Sequence, residues 1–445
     1  MKSAVLLLAL AGFSLGDLIQ NLPGQPAANF KQYSGYLTTG TNGRNRMYYW
    51  FVESQNQPST DPLLLWLTGG PGCSGISALF GEWGPFTVNS DAATLSVNPY
   101  SWNRNASVLV LESPVGVGFS YTTDHFGVGT SDNQTALENW QALTGFLTAF
   151  PQYKTNDFYV TGESYGGIYI PTLVQYILDH QTDYKINIKG MAIGNGLLDD
   201  DLDTDGLVEF THKHGLVDQL QWQQAQTKCC TNGNTDDCPW STFWNGICHL
   251  FTEQAVNLAW RSGLNPYNMY ADCVNAQLTS RFEVDHMRKF GVKPHKLSTP
   301  PCVDESTLTT YMQRADVRKA LGIPDSVPKW EICSDAVSQG YHRQYGTMKP
   351  QVTNAVNAGL KVMLYYGDID MACNFLGGQR FAANLGIAQK ESKRTYQVNG
   401  QVGGYVSDFG QLKFVTIRGA GHLVPHDKPA VAAYILDAFI NNKRF

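Results

Sequence analysis

The chain has 445 residues, 43% hydrophobic and 16% charged, and its 32 basic and 38 acidic side chains leave a net charge of −6. With 10 Trp, 22 Tyr and 21 Phe it is too aromatic and too sparsely charged for a disordered chain. It also lacks the basic excess or Lys/Arg run that nucleic acid would require, so it reads as globular and soluble. Such a length fits about three units of ~150 residues, or one large α/β domain with an insertion.

Met1–Lys2 gives a positive start, Ala4–Ala11 is apolar, and Ser14-Leu15-Gly16 offers small residues for cleavage. This predicts a secretory signal peptide over residues 1–16, too short to span a bilayer. No later stretch reaches about 18 uncharged apolar residues, so no membrane anchor is expected. The setting is then the secretory pathway, with the lysosome or the extracellular space as destination. There the sequons Asn105-Ala106-Ser107 and Asn133-Gln134-Thr135 become meaningful glycosylation sites.

Six runs are short, β-rich and continuously apolar: Pro62–Leu67, Ser107–Leu111, Phe158–Val160, Lys189–Ile193, Lys361–Tyr366 and Lys413–Ile417. That is the pattern of strands buried on both faces of a mostly parallel sheet. Helical patterns lie between several of them, at Asn133–Phe150 and Pro171–His180. A last one, Pro429–Asn441, has Val431, Tyr434, Ile435 and Phe439 on one face. The alternation predicts a doubly wound α/β sheet.

Between Ile193 and Lys361 the periodicity weakens, and six of the nine cysteines fall between Cys229 and Cys302. The expected organisation is a core formed by 17–199 and 351–445, with a disulfide-rich cap insertion over 200–350. The insertion would cover the sheet's C-terminal edge, where open α/β folds place their ligands. In an oxidising compartment the nine cysteines imply bridges plus one odd thiol. Spacing alone does not choose among the roughly 105 pairings of eight cysteines.

Gly162-Glu163-Ser164-Tyr165-Gly166 follows a predicted strand and precedes a helix opening near Ile168. Glycines on both sides permit a tight turn that lifts Ser164 into solvent, with a helix N-terminus facing any developing negative charge. A serine hydroxyl needs a base, and the base needs an orienting carboxylate. Asp368 and Asp370 follow the strand Lys361–Tyr366, and His422 lies in a glycine-bordered loop after Lys413–Ile417. The chemistry alone does not choose between the two aspartates.

Other patterns carry less. Asp201-x-Asp203-x-Asp205-Gly206 opens like a calcium loop, but its twelfth position is His212 where a bidentate Glu is needed, and it reads as an acidic helix start. His422 and His426 have a zinc-like spacing, which Pro425 spoils, and adjacent Cys229-Cys230 do not suit zinc. No metal and no cofactor are expected. His212 and His214 read as surface residues.

Five motifs in this order resemble the serine carboxypeptidase family, over the chain from about Tyr33 onwards. They are Trp66-Leu67-Thr68-Gly69-Gly70-Pro71-Gly72-Cys73-Ser74-Gly75, the run Glu112–Tyr121, Gly162–Gly167, Gly367–Asn374 and Gly419–Pro425. Cys229-Cys230 followed by Cys238 and Cys248 is similar to the family's animal lysosomal branch. The resemblance implies an α/β-hydrolase fold and peptide substrates with a free C-terminus. It makes Ser164 the nucleophile, His422 the base and Asp370 the orienting carboxylate, with the backbone N–H groups of Gly70 and Tyr165 as oxyanion hole. It assigns the substrate carboxylate to Thr68, Gly69, Glu82 and Glu163. Two glutamates facing that carboxylate must share a proton, so peptide hydrolysis is expected to favour mild acid.

The resemblance further implies bridges Cys73–Cys333, Cys229–Cys248, Cys230–Cys238 and Cys273–Cys302, leaving Cys373 as an odd thiol near the pocket. The chain departs from the family at Thr68, where Asn is usual, exchanging an amide donor for a single hydroxyl proton. The basic segment Arg281–Lys296, enclosed by Cys273 and Cys302, reads equally as a processing site or an uncut loop. Acyl transfer on the same fold and a protective role towards a partner protein are the alternatives to peptide hydrolysis, and a homodimer stays open.

Overall fold

Alternate residues of each central strand enter opposite cores, which is why those runs are apolar throughout. Leu63, Leu65 and Leu67 pack into one cluster and Leu64 and Trp66 into the other; Leu109 and Leu111 face away from Val108 and Val110 in the same way. Each of these side chains, once removed from water, stabilises the fold by roughly 1.5–3 kcal/mol. The computed structural model describes residues 16–124, 127, 129–230, 238–274, 302–304 and 306–445. The expected signal peptide over 1–16, apart from Gly16, and the segment Arg281–Lys296 lie outside the described residues.

Ten strands form the body of the central sheet: β1 (Gln32–Thr39), β2 (Asn45–Val52), β3 (Leu63–Leu67), β4 (Ser107–Leu111), β5 (Phe158–Glu163), β6 (Ile188–Gly194), β7 (Lys361–Gly367), β8 (Glu391–Val398), β9 (Gln401–Asp408) and β10 (Leu412–Ile417). Their spatial order is β1-β2-β4-β3-β5-β6-β7-β10-β9-β8, and the short strands Asp17–Leu18 and Tyr121–Thr122 pair with β1 and β2. The middle, from β4 to β10, is parallel. Both flanks are antiparallel. Three strands of these flanks escape a search for apolar runs because they are partly wet, β8 being exposed at most of its positions; β2 is the exception, with Met47–Val52 buried throughout.

The helices that matter for the site are α1 (Gly75–Gly81), α2 (Asp132–Ala149), α3 (Gly166–Asp179), α4 (Asp200–Lys213), α5 (Gln219–Cys229), α6 (Gly246–Arg261), α7 (Lys349–Asn357), α8 (Phe375–Ala383) and α9 (Pro429–Ile440). Helices α2 and α3 cover one sheet face through Phe146, Leu173 and Ile177, and α1 and α9 cover the other through Ile76, Phe80, Ile435 and Phe439. The Pro171 start expected for α3 is corrected to Gly166. The chain turns straight from Ser164 into the helix, and Pro171 sits inside it, forgoing one intrahelical hydrogen bond. No helix among the described residues is long and apolar enough to cross a membrane.

The long connection between β6 and β7 is built in two ways. Its first part, through α4, α5 and α6, has a small core of Val208, Trp222, Trp240 and Phe251. Bridges Cys229–Cys248 and Cys230–Cys238 staple that core. Leu308, Tyr311, Trp330 and Ile332 instead join the main core beneath α1, and Cys73–Cys333 ties this part to the loop after β3. The fourth bridge is Cys273–Cys302, and the remaining cysteine, Cys373, is buried and unbridged.

Candidate active site

Ser164 sits on the bend between β5 and α3 with φ at +61°, a conformation that L side chains rarely adopt. Three backbone hydrogen bonds hold it there. Its N–H donates to Gly194 O at 3.0 Å, and its carbonyl accepts from Gly167 N at 2.8 Å and Leu197 N at 3.0 Å. Gly69 approaches the bend so closely that a Cβ there would lie 2.6 Å from Ser164 Cβ and 3.0 Å from Glu163 O. Any side chain at Gly69 would therefore push the loop off the serine. Tyr165, the next residue, begins the turn into α3, so its backbone N–H is presented at the helix start.

His422 and Asp370 meet across 52 positions of sequence, with Nδ1 and Oδ2 2.7 Å apart and both side chains almost fully buried. Asp370 also accepts Asn195 Nδ2 at 2.8 Å, Ala372 N at 2.9 Å and Cys373 N at 3.2 Å. Four donors fix its orientation and compensate its charge. Asp368, the competing candidate, turns away and accepts Gly419 N at 2.6 Å. Burial pulls the His422 pKa down, but the Asp370 charge and hydrogen bond, aided by Glu163 and Asp427, lift it above the ordinary imidazole value. The backbone N–H of His422 donates to Tyr267 O at 2.7 Å, so the connection between β6 and β7 also helps to hold this loop.

Beside this pair lie two more acids. Glu163 ends β5 and Glu82 follows α1, with 3% and 6% of their surfaces exposed. Their carboxyls hydrogen-bond to each other, and burial above all pushes the Glu163 pKa up to about 7, against the opposing pull of His422. Two carboxyl groups in such contact hold a proton between them. Thr68, just past β3, accepts the Trp66 indole N–H at 2.7 Å through its hydroxyl oxygen, which leaves the hydroxyl proton to be donated elsewhere. The buried Tyr365 phenol is close to both glutamates, and burial with their charges drives its pKa well up.

A cavity of about 430 Å³ opens next to Glu82, between the end of α1 and Leu423, the residue after His422; Tyr267, Asn268, Val303 and Leu308 line other parts of it. It is large enough for an amino-acid side chain and its carboxylate.

Three residues of the site escaped the sequence reading. Asn195 takes φ +38° to aim its amide at Asp370, and its Oδ1 accepts Gly367 N at 3.0 Å. Asp132 accepts the phenols of Tyr165 and Tyr341 at 2.8 and 2.9 Å and the N–H groups of Gln344 and Tyr345 at 2.6 and 3.2 Å. Trp66 orients Thr68. Only Asn195 carried a local signal, as a residue tolerant of positive φ between two glycines after a strand.

The remaining candidates are placed as follows. Asp201, Asp203 and Asp205 lie within α4, capped by Asp199, so they form helix rather than a loop. His426 bonds to Gly81 O at 2.9 Å, apart from the His422–Asp370 contact. His212 and His214, expected at the surface, are half-buried: His212 stacks on Trp222 and His214 on Phe210 at centroid distances of 4.3 and 3.8 Å. Asn105 and Asn133 are both exposed.

A strained serine between strand and helix, a buried His–Asp pair and a neighbouring carboxyl pair define a serine hydrolase built on an α/β sheet. Residues 23–442 match the family model described as serine carboxypeptidase. The mouse lysosomal protective protein is 38% identical, over 96% of this chain and 94% of its own length. The Caenorhabditis elegans serine carboxypeptidase ctsa-4.1 is likewise 38% identical, over the same shares. Among solved structures, the Saccharomyces cerevisiae Kex1 prohormone-processing carboxypeptidase superposes with a TM-score of 0.72 at 22% identity, covering 95% of this chain and 94% of that one, a likeness of fold. The chain belongs to the serine carboxypeptidase family, and its activity is that of a serine-type carboxypeptidase.

Proposed function

We propose that Ser164, His422 and Asp370 carry out the hydrolysis through an acyl-enzyme. His422 takes the Ser164 proton as Oγ attacks the carbonyl of the last peptide bond, then gives it to the departing amino acid. Water attacks the ester by the same route in reverse. Asp370 holds Nδ1 and stabilises the imidazolium without taking its proton. The N–H groups of Gly70 and Tyr165 face the developing oxyanion.

The contact between Glu82 and Glu163 carries the exopeptidase reading. A protonated carboxyl in that pair donates to the substrate's terminal carboxylate, while a doubly ionised pair would repel it. Gly69 and the Thr68 hydroxyl supply further donors, and the cavity beside Glu82 takes the side chain of the released residue. The preferred range is mild acid, which suits the lysosome or an acidic secretory compartment, in keeping with the relative named lysosomal protective protein.

The decisive experiment compares a blocked dipeptide having a free C-terminus with its C-terminal amide. Purified enzyme should prefer the free acid strongly at pH 5 and lose that preference near pH 8, and Ser164→Ala should hydrolyse neither. An enzyme indifferent to the carboxylate at every pH would overturn the assignment of Glu82 and Glu163.

A further inference from the structure

Helix α4, the first of the insertion, turns Asp203 inward against the loop that carries Asp370. Asp203 is 7% exposed, and its Oδ1 accepts Asn374 N at 3.2 Å and Asn374 Nδ2 at 3.1 Å. Its backbone carbonyl accepts the same Nδ2 at 2.9 Å. Asn374 in turn caps α8, its Oδ1 accepting Gly377 N at 2.9 Å. The short loop from Asp370 to Asn374 is therefore pinned at one end by Asn195 and at the other by Asp203.

Among the described residues no cation pairs with Asp203. Its Oδ2 has no hydrogen-bond partner among the described residues. Asp199 and Asp200 face it from the start of α4 and Asp370 from across the loop, with the Cys373 thiol and the Tyr366 phenol also nearby. The guanidinium of Arg343 is engaged by Asp200 at 2.6 Å, and that of Arg380 by Glu209 farther along α4. A carboxylate removed from water among like charges, with one oxygen bare, is far costlier than a carboxylic acid in the same place.

We propose that Asp203 is a positioning residue for the catalytic pair, and that it works as a neutral carboxylic acid, holding the Asp370–Asn374 loop without adding a second negative charge beside Asp370. This rests on the role given to Asp370 under the proposed function. Burial and the Asp370 charge push the Asp203 carboxyl well above the usual carboxylate range. The folded protein thus keeps a proton that the unfolded chain releases above about pH 4. Stability from this site is complete in acid and declines as pH rises towards the folded value. An asparagine would keep the oxygen that accepts from Asn374 and could not ionise.

The test uses the full chain as wild type, Asp203→Asn and Asp203→Ala. An ester substrate without a C-terminal carboxylate removes the influence of Glu82 and Glu163. At pH 5, Asp203→Asn should hold kcat within about threefold of wild type, and Asp203→Ala should lose about tenfold or more in kcat with KM little changed. The Tm of Asp203→Asn relative to wild type should climb by several degrees, roughly 3 or more, between pH 5 and pH 8. Wild-type kcat in Asp203→Ala would overturn the positioning role, and a Tm difference independent of pH would overturn the neutral acid. Should Asp203→Ala fail to fold, Asp203→Ser, too short to reach Asn374, replaces it in the kcat comparison with the same expected loss, and Asp203→Asn decides the neutral acid through its Tm curve. Activity surviving in Ser164→Ala would defeat the catalytic reading and leave the Tm comparison standing.

Discussion

Replacing Glu163 by Gln removes a carboxyl beside the catalytic pair whose titration falls inside the working pH range. Its pKa of about 7 against an ordinary 4.5 means that burial favours the neutral form by on the order of 3 kcal/mol. At pH 5 the site is then about 99% protonated, and at pH 8 only about 10%, so kcat/KM for a free-acid peptide should fall roughly tenfold across the upper end of that range. The amide of the same peptide presents no carboxylate and should show no such decline. In Glu163→Gln the alkaline decline should vanish for the free acid too, with activity at pH 5 reduced because the acid O–H is gone. Stability follows the same proton. The folded state binds it more tightly than the unfolded chain, so wild-type stability falls as pH rises from about 4.5 to about 7 and then levels off, and Glu163→Gln should gain on wild type over that window. The assay is kcat/KM from pH 4.5 to 8.5 for the acid and amide substrates with both proteins. Parallel decline of acid and amide hydrolysis in wild type, or an unchanged alkaline limb in Glu163→Gln, would refute the reasoning.

Other expectations follow from single contacts. Asp370→Asn should lower kcat by roughly 10³–10⁴-fold with KM nearly constant in steady-state assays, since it removes the imidazolium's partner and permits the wrong tautomer, while Asp368→Asn should change kcat far less. Thr68→Val should raise KM for free-acid peptides roughly 10–150-fold, the value of one hydrogen bond to a charged group, and leave hydrolysis of the amides unchanged; Thr68→Asn should lower that KM with little effect on kcat. Cys373 is fully buried and its pKa is driven well up by burial and neighbouring acids, so thiol-reagent labelling should be slow at pH 7 and speed up many-fold in mild denaturant. Asp132→Asn weakens an acceptor shared by four donors and should cost about 2–4 kcal/mol in denaturant unfolding.

Much of the molecule was open to reading along the chain. Strands β3, β4, β5, β6, β7 and β10 announced themselves because a strand buried on both faces must be apolar at every position. Ser164 and His422 could be found because their local settings, a G-x-S-x-G bend and a glycine-bordered loop after a strand, are written in adjacent residues. Those features depend on backbone periodicity and turn chemistry, which act over a few positions. The outer strands β1, β8 and β9 were missed, since wet positions break the apolar run; β2 was missed although Met47–Val52 is apolar and buried throughout.

What folding alone decided lies in contacts between residues far apart in the chain. Asp370 and Asp368 are equivalent along the chain, and only the path of β7 and β10 turns Asp370 towards His422. Asn195 reaches Asp370 over 175 positions, and Asp203 reaches Asn374 over 171. Glu82 and Glu163 come into contact only because the end of α1 and the end of β5 are brought together, with both side chains buried. Ionisation depends on burial and on nearby charge, and neither is a property of a residue until the chain has closed around it.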